Sequence, residues 1–132
     1  MNIFIDTSAF LAILDGDDLH HISAKEEWEK IVSSESNLIC HNYILLETFA
    51  LVQHRFGIEA VRVFEEDILP IVTVEWIGET AHKSGVAALL AASKRRLSLV
   101  DCVSFETMRH SGIKIAFTFD PHFHEQGFKC IP

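Results

Sequence analysis

The chain has 132 residues, of which 48% are hydrophobic, and it carries a formal net charge of −8 at pH 7. This length and composition predict one globular domain over 1–132 with a sizeable apolar core. The negative charge excludes a protein whose whole surface attracts nucleic acid or anionic membrane, although a divalent cation in an acidic site would reverse the sign locally. The three cysteines have no zinc-finger spacing, and no signal peptide or membrane span is recognisable, which predicts a cytoplasmic protein with reduced thiols.

The first stretch of the chain is an apolar strand over 3–5 that leads directly into a carboxylate, Asp6. Thr7 and Ser8 follow at once, and their hydroxyls can open a helix over 8–14. An acid at the carboxyl end of a strand lies where α/β folds place their ligands. Taken alone, however, Asp6 fits a helix cap better than a catalytic group.

The elements after this stretch alternate between helices and strands. Helices are predicted over 20–33, 41–56, 59–68, 78–96 and 98–110, and strands over 37–40, 71–74, 113–119 and 128–131. In the first of these helices the apolar residues expected to face the core are Ile22, Trp28, Ile31 and Val32. The alternation predicts an α/β fold, a three-layer α/β/α sandwich with a mainly parallel sheet of four to five strands.

The helix over 41–56 is apolar around much of its circumference, so most of it is expected to be buried. Glu47 lies in the middle of that apolar run. A buried glutamate without a partner is costly, so Glu47 either faces water, pairs with a base such as Arg55, or points inward at a cation.

Two more acids follow later elements. Ser98 and Asp101, three residues apart, resemble a capping box at the start of a helix, and Ser104 falls on the same helical face as Asp101. Thr118 and Asp120 share one face of the strand that ends there.

In a parallel sheet, the carboxyl ends of strands and the amino ends of the following helices line one edge. Asp6, Asp101 and Asp120 are therefore expected to gather there, with Glu47 entering from the side. Two carboxylates about 4 Å apart repel by about 4 kcal/mol at an effective dielectric of about 20, so four together need protons or a cation. Oxygen ligands favour one or two Mg²⁺ or Mn²⁺ ions. Asp6 and Asp101 are the expected principal ligands, with Asp120 and Glu47 positioning a second ion or activating water.

Four short motifs carry a resemblance to a known family. In chain order they are Phe4-Ile5-Asp6-Thr7-Ser8, Glu47 in the helix that begins Asn42-Tyr43, Leu97-Ser98-Leu99-Val100-Asp101-Cys102, and Thr118-Phe119-Asp120-Pro121-His122-Phe123. In order and spacing over essentially the whole chain, the sequence resembles PIN-domain ribonucleases, most closely the VapC-type toxins of prokaryotic toxin–antitoxin pairs. Two departures, Val100 in place of a hydroxyl residue and Pro121 before the usual His-Phe pair, leave every acid in place.

The resemblance implies a metal-dependent endoribonuclease that forms a homodimer and is inhibited by an antitoxin protein. It implies an acidic metal-binding set, here Asp6, Glu47, Asp101 and Asp120. It also implies supporting polar groups, for which this chain offers Thr7, Ser104 and Thr118. The small-residue stretch over 86–92 is compatible with close helix packing, within the core or across a dimer.

The densest positive cluster comprises Lys94, Arg95 and Arg96, a few residues before Asp101. Its default role is to complement the dipole of the preceding helix. Because RNA must approach an acidic protein through local bases, we also expect this cluster to contact RNA phosphates.

Other functions stay open at this stage. The chain can be a PIN nuclease that processes RNA without being a toxin, or a module that binds RNA or protein without cutting. A haloacid-dehalogenase-type phosphatase is disfavoured because Ser8 stands where a second Asp is required. His122, His124 and Cys130 are expected to belong to an ordinary loop rather than to a zinc site.

Overall fold

The computed structural model describes residues 1–93 and 96–132. The strands of this part of the chain are β1 Asn2–Ile5, β2 Asn37–His41, β3 Val72–Glu75, β4 Ile115–Phe117 and β5 Lys129–Ile131. The α-helices are α1 Thr7–Leu14, α2 His21–Ser33, α3 Asn42–Phe56, α4 Ile58–Val63, α5 Glu79–Ala92, α6 Leu99–His110 and α7 Pro121–Glu125. A π-helical turn over Phe64–Ile68 and a 3₁₀ turn over Leu69–Ile71 connect α4 to β3.

The five strands form one parallel sheet in the order β3-β2-β1-β4-β5, with helices covering it. The central strand is β1, in which Ile3 pairs with Leu38 on one side and Ile115 on the other. This confirms the predicted α/β fold with a parallel sheet. Residues that follow β1 and β4 therefore meet at one edge of the sheet.

The apolar core lies on both faces of the sheet, and for this reason β1 is a continuous apolar run rather than an alternating one. Ile3, Phe4 and Ile5 are all almost completely buried. Aromatic side chains fill much of the remaining space; those fully buried are Phe4, Phe10, Phe64, Phe117 and Phe123.

Helix α2 buries a narrower face than its sequence predicts. Ile31 is buried and Trp28 is half-buried, as expected, but Ile22 is 74% exposed and Val32 is 50% exposed. The residue that joins Ile31 in the core is Ala24, seven positions earlier. Residues seven apart lie on one stripe of a helix, and the side chains of Ile22 and Val32 project away from that stripe.

Helix α3 is also less buried than predicted. Its buried residues are Ile44, Thr48 and Val52, which form a single stripe at four-residue spacing, whereas Leu46 on another face is 72% exposed. A helix that covers one face of a sheet needs only such a stripe. The expectation that most of this helix is buried is therefore wrong.

Helix α5 ends at Ala92, four residues before its predicted end. Ser93 adopts a left-handed conformation with φ 51°, which stops the helix. Lys94 and Arg95, two of the three residues expected to contact RNA, lie outside the described residues. Arg96 lies in an exposed turn between α5 and α6.

Helices α5 and α6 pack tightly against each other at Gly85, just before the small-residue stretch. A Cβ atom there would lie 2.5 Å from Cγ2 of Val103, so only glycine permits this spacing without a shift of the neighbour. This contact packs α6, the helix that carries Asp101, against α5.

Two predictions about the C-terminal region need correction. The strand predicted over 113–119 is confined to β4, and residues 122–124 lie in helix α7 rather than in a loop. The reason is that Asp120 and Pro121 begin a helix, since proline suits the first helical position.

In the described parts of the chain, no helix combines the length and apolar character needed to cross a membrane.

Candidate metal centre

Asp6 follows β1 directly and occupies the N-cap position of α1, but its side chain makes no capping hydrogen bond. Instead the hydroxyls of Ser8 and Thr118 both donate to Asp6 Oδ2, at 2.9 and 3.1 Å. Burial raises the pKa of Asp6 from 3.8 to about 6, against the lowering effect of these hydroxyls, and the charges of Asp120 and Asp101 raise it further. The expectation that hydroxyl side chains cap this helix is thus wrong: Ser8, in the first turn of α1, and Thr118, after β4, both donate to the carboxylate of Asp6 instead.

The same two hydroxyls link Asp6 through hydrogen bonds to the residues that follow β4. Ser8 Oγ accepts a hydrogen bond from the backbone N–H of Phe119 at 2.9 Å, and Thr118 Oγ1 accepts one from that of Asp120 at 3.0 Å. Thr118, expected as polar support, therefore contacts Asp6 and the backbone of Asp120 together. Ser8 plays an equivalent role that the sequence interpretation did not assign.

Thr7, the second expected supporting residue, forms a hydrogen bond with a residue of α3 rather than with the acids. Its hydroxyl accepts a hydrogen bond from Thr48 Oγ1 at 3.1 Å, within the core between α1 and α3. Both side chains are buried. This contact connects the helix that follows Asp6 to the helix that carries Glu47.

Asp101 lies in the first turn of α6, and the predicted capping box is present. Ser98 Oγ accepts from the backbone N–H of Asp101 at 3.1 Å, and Asp101 Oδ2 accepts from that of Ser98 at 3.0 Å. The pKa of Asp101 is raised mainly by burial, and the charge of Asp120 raises it further. The box orients this carboxylate toward the edge of the sheet where β1 and β4 end.

Asp120 is the N-cap of α7, where Oδ1 accepts from the backbone N–H of His122 at 2.9 Å. This turn brings the His122 ring to the acids: Nδ1 lies 3.0 Å from Asp120 Oδ1 and 3.9 Å from Asp101 Oδ2. One ligand atom from each of the three residues lies within 4.8 Å of the others. The Asp-Pro pair was the available signal, since it predicts a helix whose first turn contains His122.

Glu47 is half-buried in α3, and among the described residues it forms no hydrogen bond or ion pair, including none with Arg55. Its neighbour Thr48 points into the core. Glu47 is not among the charges that raise the pKa of Asp6. The structure thus brings Asp101 and Asp120 close enough to Asp6 for their charges to raise its pKa.

Ser104 is fully buried and contacts a histidine rather than the acids. Its hydroxyl donates to the carbonyl of Val100 at 2.8 Å and lies 2.8 Å from His41 Nε2. His41 is the N-cap of α3, and its Nδ1 accepts from the backbone N–H groups of Tyr43 and Ile44. Since Nδ1 accepts, the ring proton is on Nε2 and is donated to Ser104.

Burial lowers the pKa of His41 to about 4, so the ring is neutral near pH 7. The His41–Ser104 contact joins the start of α3 to the first turns of α6. It therefore sets the distance between the helices that carry Glu47 and Asp101. The sequence interpretation missed His41, although a histidine directly before a helix is a possible cap.

The donor set fits a divalent cation. Asp101, Asp120 and His122 offer carboxylate oxygens and an imidazole nitrogen within one coordination sphere. His122 Nδ1 is buried and has no hydrogen-bond partner among the described residues. An acidic cluster capable of binding a metal is thus present at the predicted edge of the sheet.

Comparisons with known proteins agree with this geometry. The family profile of the PIN domain matches residues 3–129. The chain is 32% identical over 127 residues to the 23S rRNA-specific endonuclease VapC20 of Mycobacterium tuberculosis, covering 96% of this chain and 95% of that protein. The crystal structure of VapC20, described as a sarcin-ricin loop cleaving toxin, superposes with a TM-score of 0.85 at 31% identity, over 96% of this chain and 95% of that one.

More distant solved structures share the fold. FitAcB from Neisseria gonorrhoeae matches with a TM-score of 0.69 at 13% identity, over 98% of this chain and 96% of that one. VapBC2 from Rickettsia felis, bound to a DNA fragment from its promoter, matches with a TM-score of 0.73 at 10% identity, over 98% and 97%. The chain belongs to the PIN-domain family, as its motifs predict, and is a relative of the VapC endonucleases.

Proposed function

We propose that this chain is a divalent-metal-dependent endoribonuclease and the toxin of a toxin–antitoxin pair. The observation that carries the proposal is the meeting of three carboxylates, those of Asp6, Asp101 and Asp120, at one edge of the sheet. They meet in a chain that is related over 96% of its length to an endonuclease. A phosphodiester nuclease needs such a concentration of negative charge to hold its metal.

The four acids receive distinct roles in this proposal. When bound, Mg²⁺ or Mn²⁺ supplies positive charge that stabilises the phosphoryl transition state and lowers the pKa of water. Asp6 and Asp101 are the principal ligands for the ion. Asp120 and Glu47 position a second ion or orient the attacking water.

Preorganisation of Asp6 supports this assignment. The hydroxyls of Ser8 and Thr118 fix one oxygen of its carboxylate before substrate arrives. Fixed charges lower a barrier because they need no reorganisation when the transition state forms. The hydroxyls also keep the buried carboxylate oriented while no cation is bound.

RNA is the proposed substrate, and 23S ribosomal RNA is the first to test, because VapC20 is specific for it. The protein as a whole is acidic, with a net charge of −8, so RNA has to reach the site through a local positive surface. Arg96 is exposed beside the start of α6. With Lys94 and Arg95, it is the proposed contact for RNA phosphates.

The proposal includes a protein antitoxin and a homodimer, which the family resemblance implies, and a cytoplasmic location. Leu90, in the small-residue stretch of α5, is 72% exposed. An exposed leucine on a helix of small residues is compatible with an interface between protein chains.

The direct test is to incubate the purified chain with 23S rRNA and total RNA in Mn²⁺ or Mg²⁺ and to map the cut ends. We expect discrete cleavage that requires metal and stops when EDTA is added. RNA binding without cleavage would replace this proposal with that of a non-cleaving module. Cleavage without growth arrest on induced expression would indicate an RNA-processing nuclease that is not a toxin.

A further inference from the structure

The ring of His122 contains a buried nitrogen that faces two carboxylates without forming a hydrogen bond to either. Nδ1 has no hydrogen-bond partner among the described residues. Asp120 Oδ1 is 3.0 Å away, within ion-pair distance, but the two atoms do not form a hydrogen bond. A buried polar atom that makes no hydrogen bond is destabilising, and a cation bound between the ring and the carboxylates would provide this atom with a partner.

The position of this nitrogen is set by the surrounding fold. Asp120 caps α7 and Pro121 occupies its first position, so the backbone of His122 is held in a helical turn. The next residue, Phe123, is fully buried and packs edge-on against Phe105, with ring centroids 5.0 Å apart. The ring of His122 is therefore presented to the acids by a short helix that is anchored in the core.

The distances fit coordination of a single ion. With metal–ligand bonds of about 2.1 Å in an octahedron, adjacent ligand atoms are about 3.0 Å apart and opposite atoms about 4.2 Å apart. Nδ1 is 3.0 Å from Asp120 Oδ1, which matches an adjacent pair, and 3.9 Å from Asp101 Oδ2, which is close to an opposite pair.

We propose that Nδ1 of His122 is a ligand of the metal, together with the carboxylates of Asp101 and Asp120, and that the site consequently prefers Mn²⁺ to Mg²⁺. The inference rests on the proposed metal-dependent function. Mg²⁺ favours oxygen ligands and retains its water, whereas imidazole nitrogen suits first-row transition metals. The nitrogen thus changes the selectivity expected from an all-oxygen set of acids.

The test is to titrate the full chain with Mn²⁺, and separately with Mg²⁺ in competition, and to record pulsed electron paramagnetic resonance of the bound Mn²⁺. We expect modulation from a directly coordinated ¹⁴N nucleus in the wild type and its loss in His122→Asn. The Mn²⁺ affinity of that variant should fall by about tenfold or more, and its Mg²⁺ affinity by much less. His124→Asn, on an exposed residue of the same helix, is the matched control and should behave as the wild type.

The proposal would be overturned if nitrogen modulation persisted in His122→Asn or if this variant lost equal affinity for both metals. It would also be overturned if the wild-type protein bound no Mn²⁺. If the variant fails to fold by circular dichroism, wild-type protein labelled with ¹⁵N-histidine decides the matter, because its modulation changes only when a histidine nitrogen is coordinated. RNA cleavage is measured separately. Nitrogen coordination without RNA cleavage would reject the proposed nuclease while leaving this inference intact.

Discussion

Asp6 and His41 occupy comparable positions in the sheet, but their side chains find hydrogen-bond partners in different ways. His41 ends β2 and Asp6 follows β1, so both lie at the carboxyl ends of neighbouring parallel strands. Both are buried. The two ring nitrogens of His41 are used by Ser104 and by the start of α3, whereas both hydroxyl bonds to Asp6 converge on Oδ2.

The difference distinguishes a polar group whose partners the protein supplies from one that it leaves partly unpaired. A neutral imidazole has one donor and one acceptor, and the protein supplies partners for both nitrogens of His41. Asp6 carries a charge that burial disfavours, and no described residue donates a hydrogen bond to its Oδ1. A buried charge that the protein leaves partly unpaired is suited to an external cation.

The two groups also respond to pH in opposite directions. The pKa of Asp6 is raised to about 6 in the fold, so its contribution to stability falls as pH rises from about 4 to about 6. The pKa of His41 is lowered to about 4, so its contribution is lost as pH falls from 6.5 to about 4. In the wild type these effects partly cancel, and substitutions are needed to separate them.

The largest expected effect tests whether the acids, rather than the His41 region, carry activity. Asp101→Asn should lower metal-dependent RNA cleavage by about 10²-fold or more, because it removes a charge while an amide can still cap α6. Ser104→Ala, beside His41, should change cleavage far less. Initial cleavage rates measure both, with the exposed Asp67→Asn as control. Near-wild-type cleavage by Asp101→Asn would reject the assignment.

The second effect concerns the stability of metal-free protein. In EDTA, we compare the free energy of unfolding of Asp6→Asn with that of the wild type. The difference in favour of the variant should grow by about 2–3 kcal/mol as pH rises from 4 to 7, since the variant has no buried carboxylate to ionise. Urea denaturation at each pH gives the difference in the free energy of unfolding. If the difference in the free energy of unfolding did not change with pH, burial would not destabilise the ionised carboxylate of Asp6.

A smaller effect is expected at the start of α3. His41→Ala should lower the free energy of unfolding by about 2 kcal/mol, because it removes a helix cap and the partner of Ser104. His41→Asn retains an acceptor for the cap and should lose less. Urea denaturation at pH 7 distinguishes them, and equal losses would mean that capping contributes nothing.

The smallest effect tests how RNA reaches the acids. Replacing Lys94, Arg95 and Arg96 together by alanine should weaken RNA binding and reduce the slope of log affinity against log salt by about 2. Substitution of the exposed Lys25 on α2 is the control. Filter binding at several salt concentrations measures the slope. An unchanged slope would place the RNA contact elsewhere.

Local patterns in the sequence were sufficient for much of the fold. The apolar run before Asp6 predicts a buried central strand, and the Ser98–Asp101 spacing predicts a capping box that the structure contains. Contacts between distant segments were not predictable in this way. The burial of α2 and α3 depends on which stripe meets the sheet, so Ile22 and Leu46 are exposed although they are apolar.

Local apolar periodicity and capping were enough to predict the order of the acids along the chain, the strand that ends before Asp6 and the helix start that carries Asp101, but not the helix that begins after Asp120. Which polar groups surround each acid depends on the tertiary structure. Residues 110 or more positions apart, such as Ser8 and Thr118, meet at Asp6, and α7 turns His122 toward Asp101. Such contacts depend on the packing of several elements at once, and no local pattern encodes that packing.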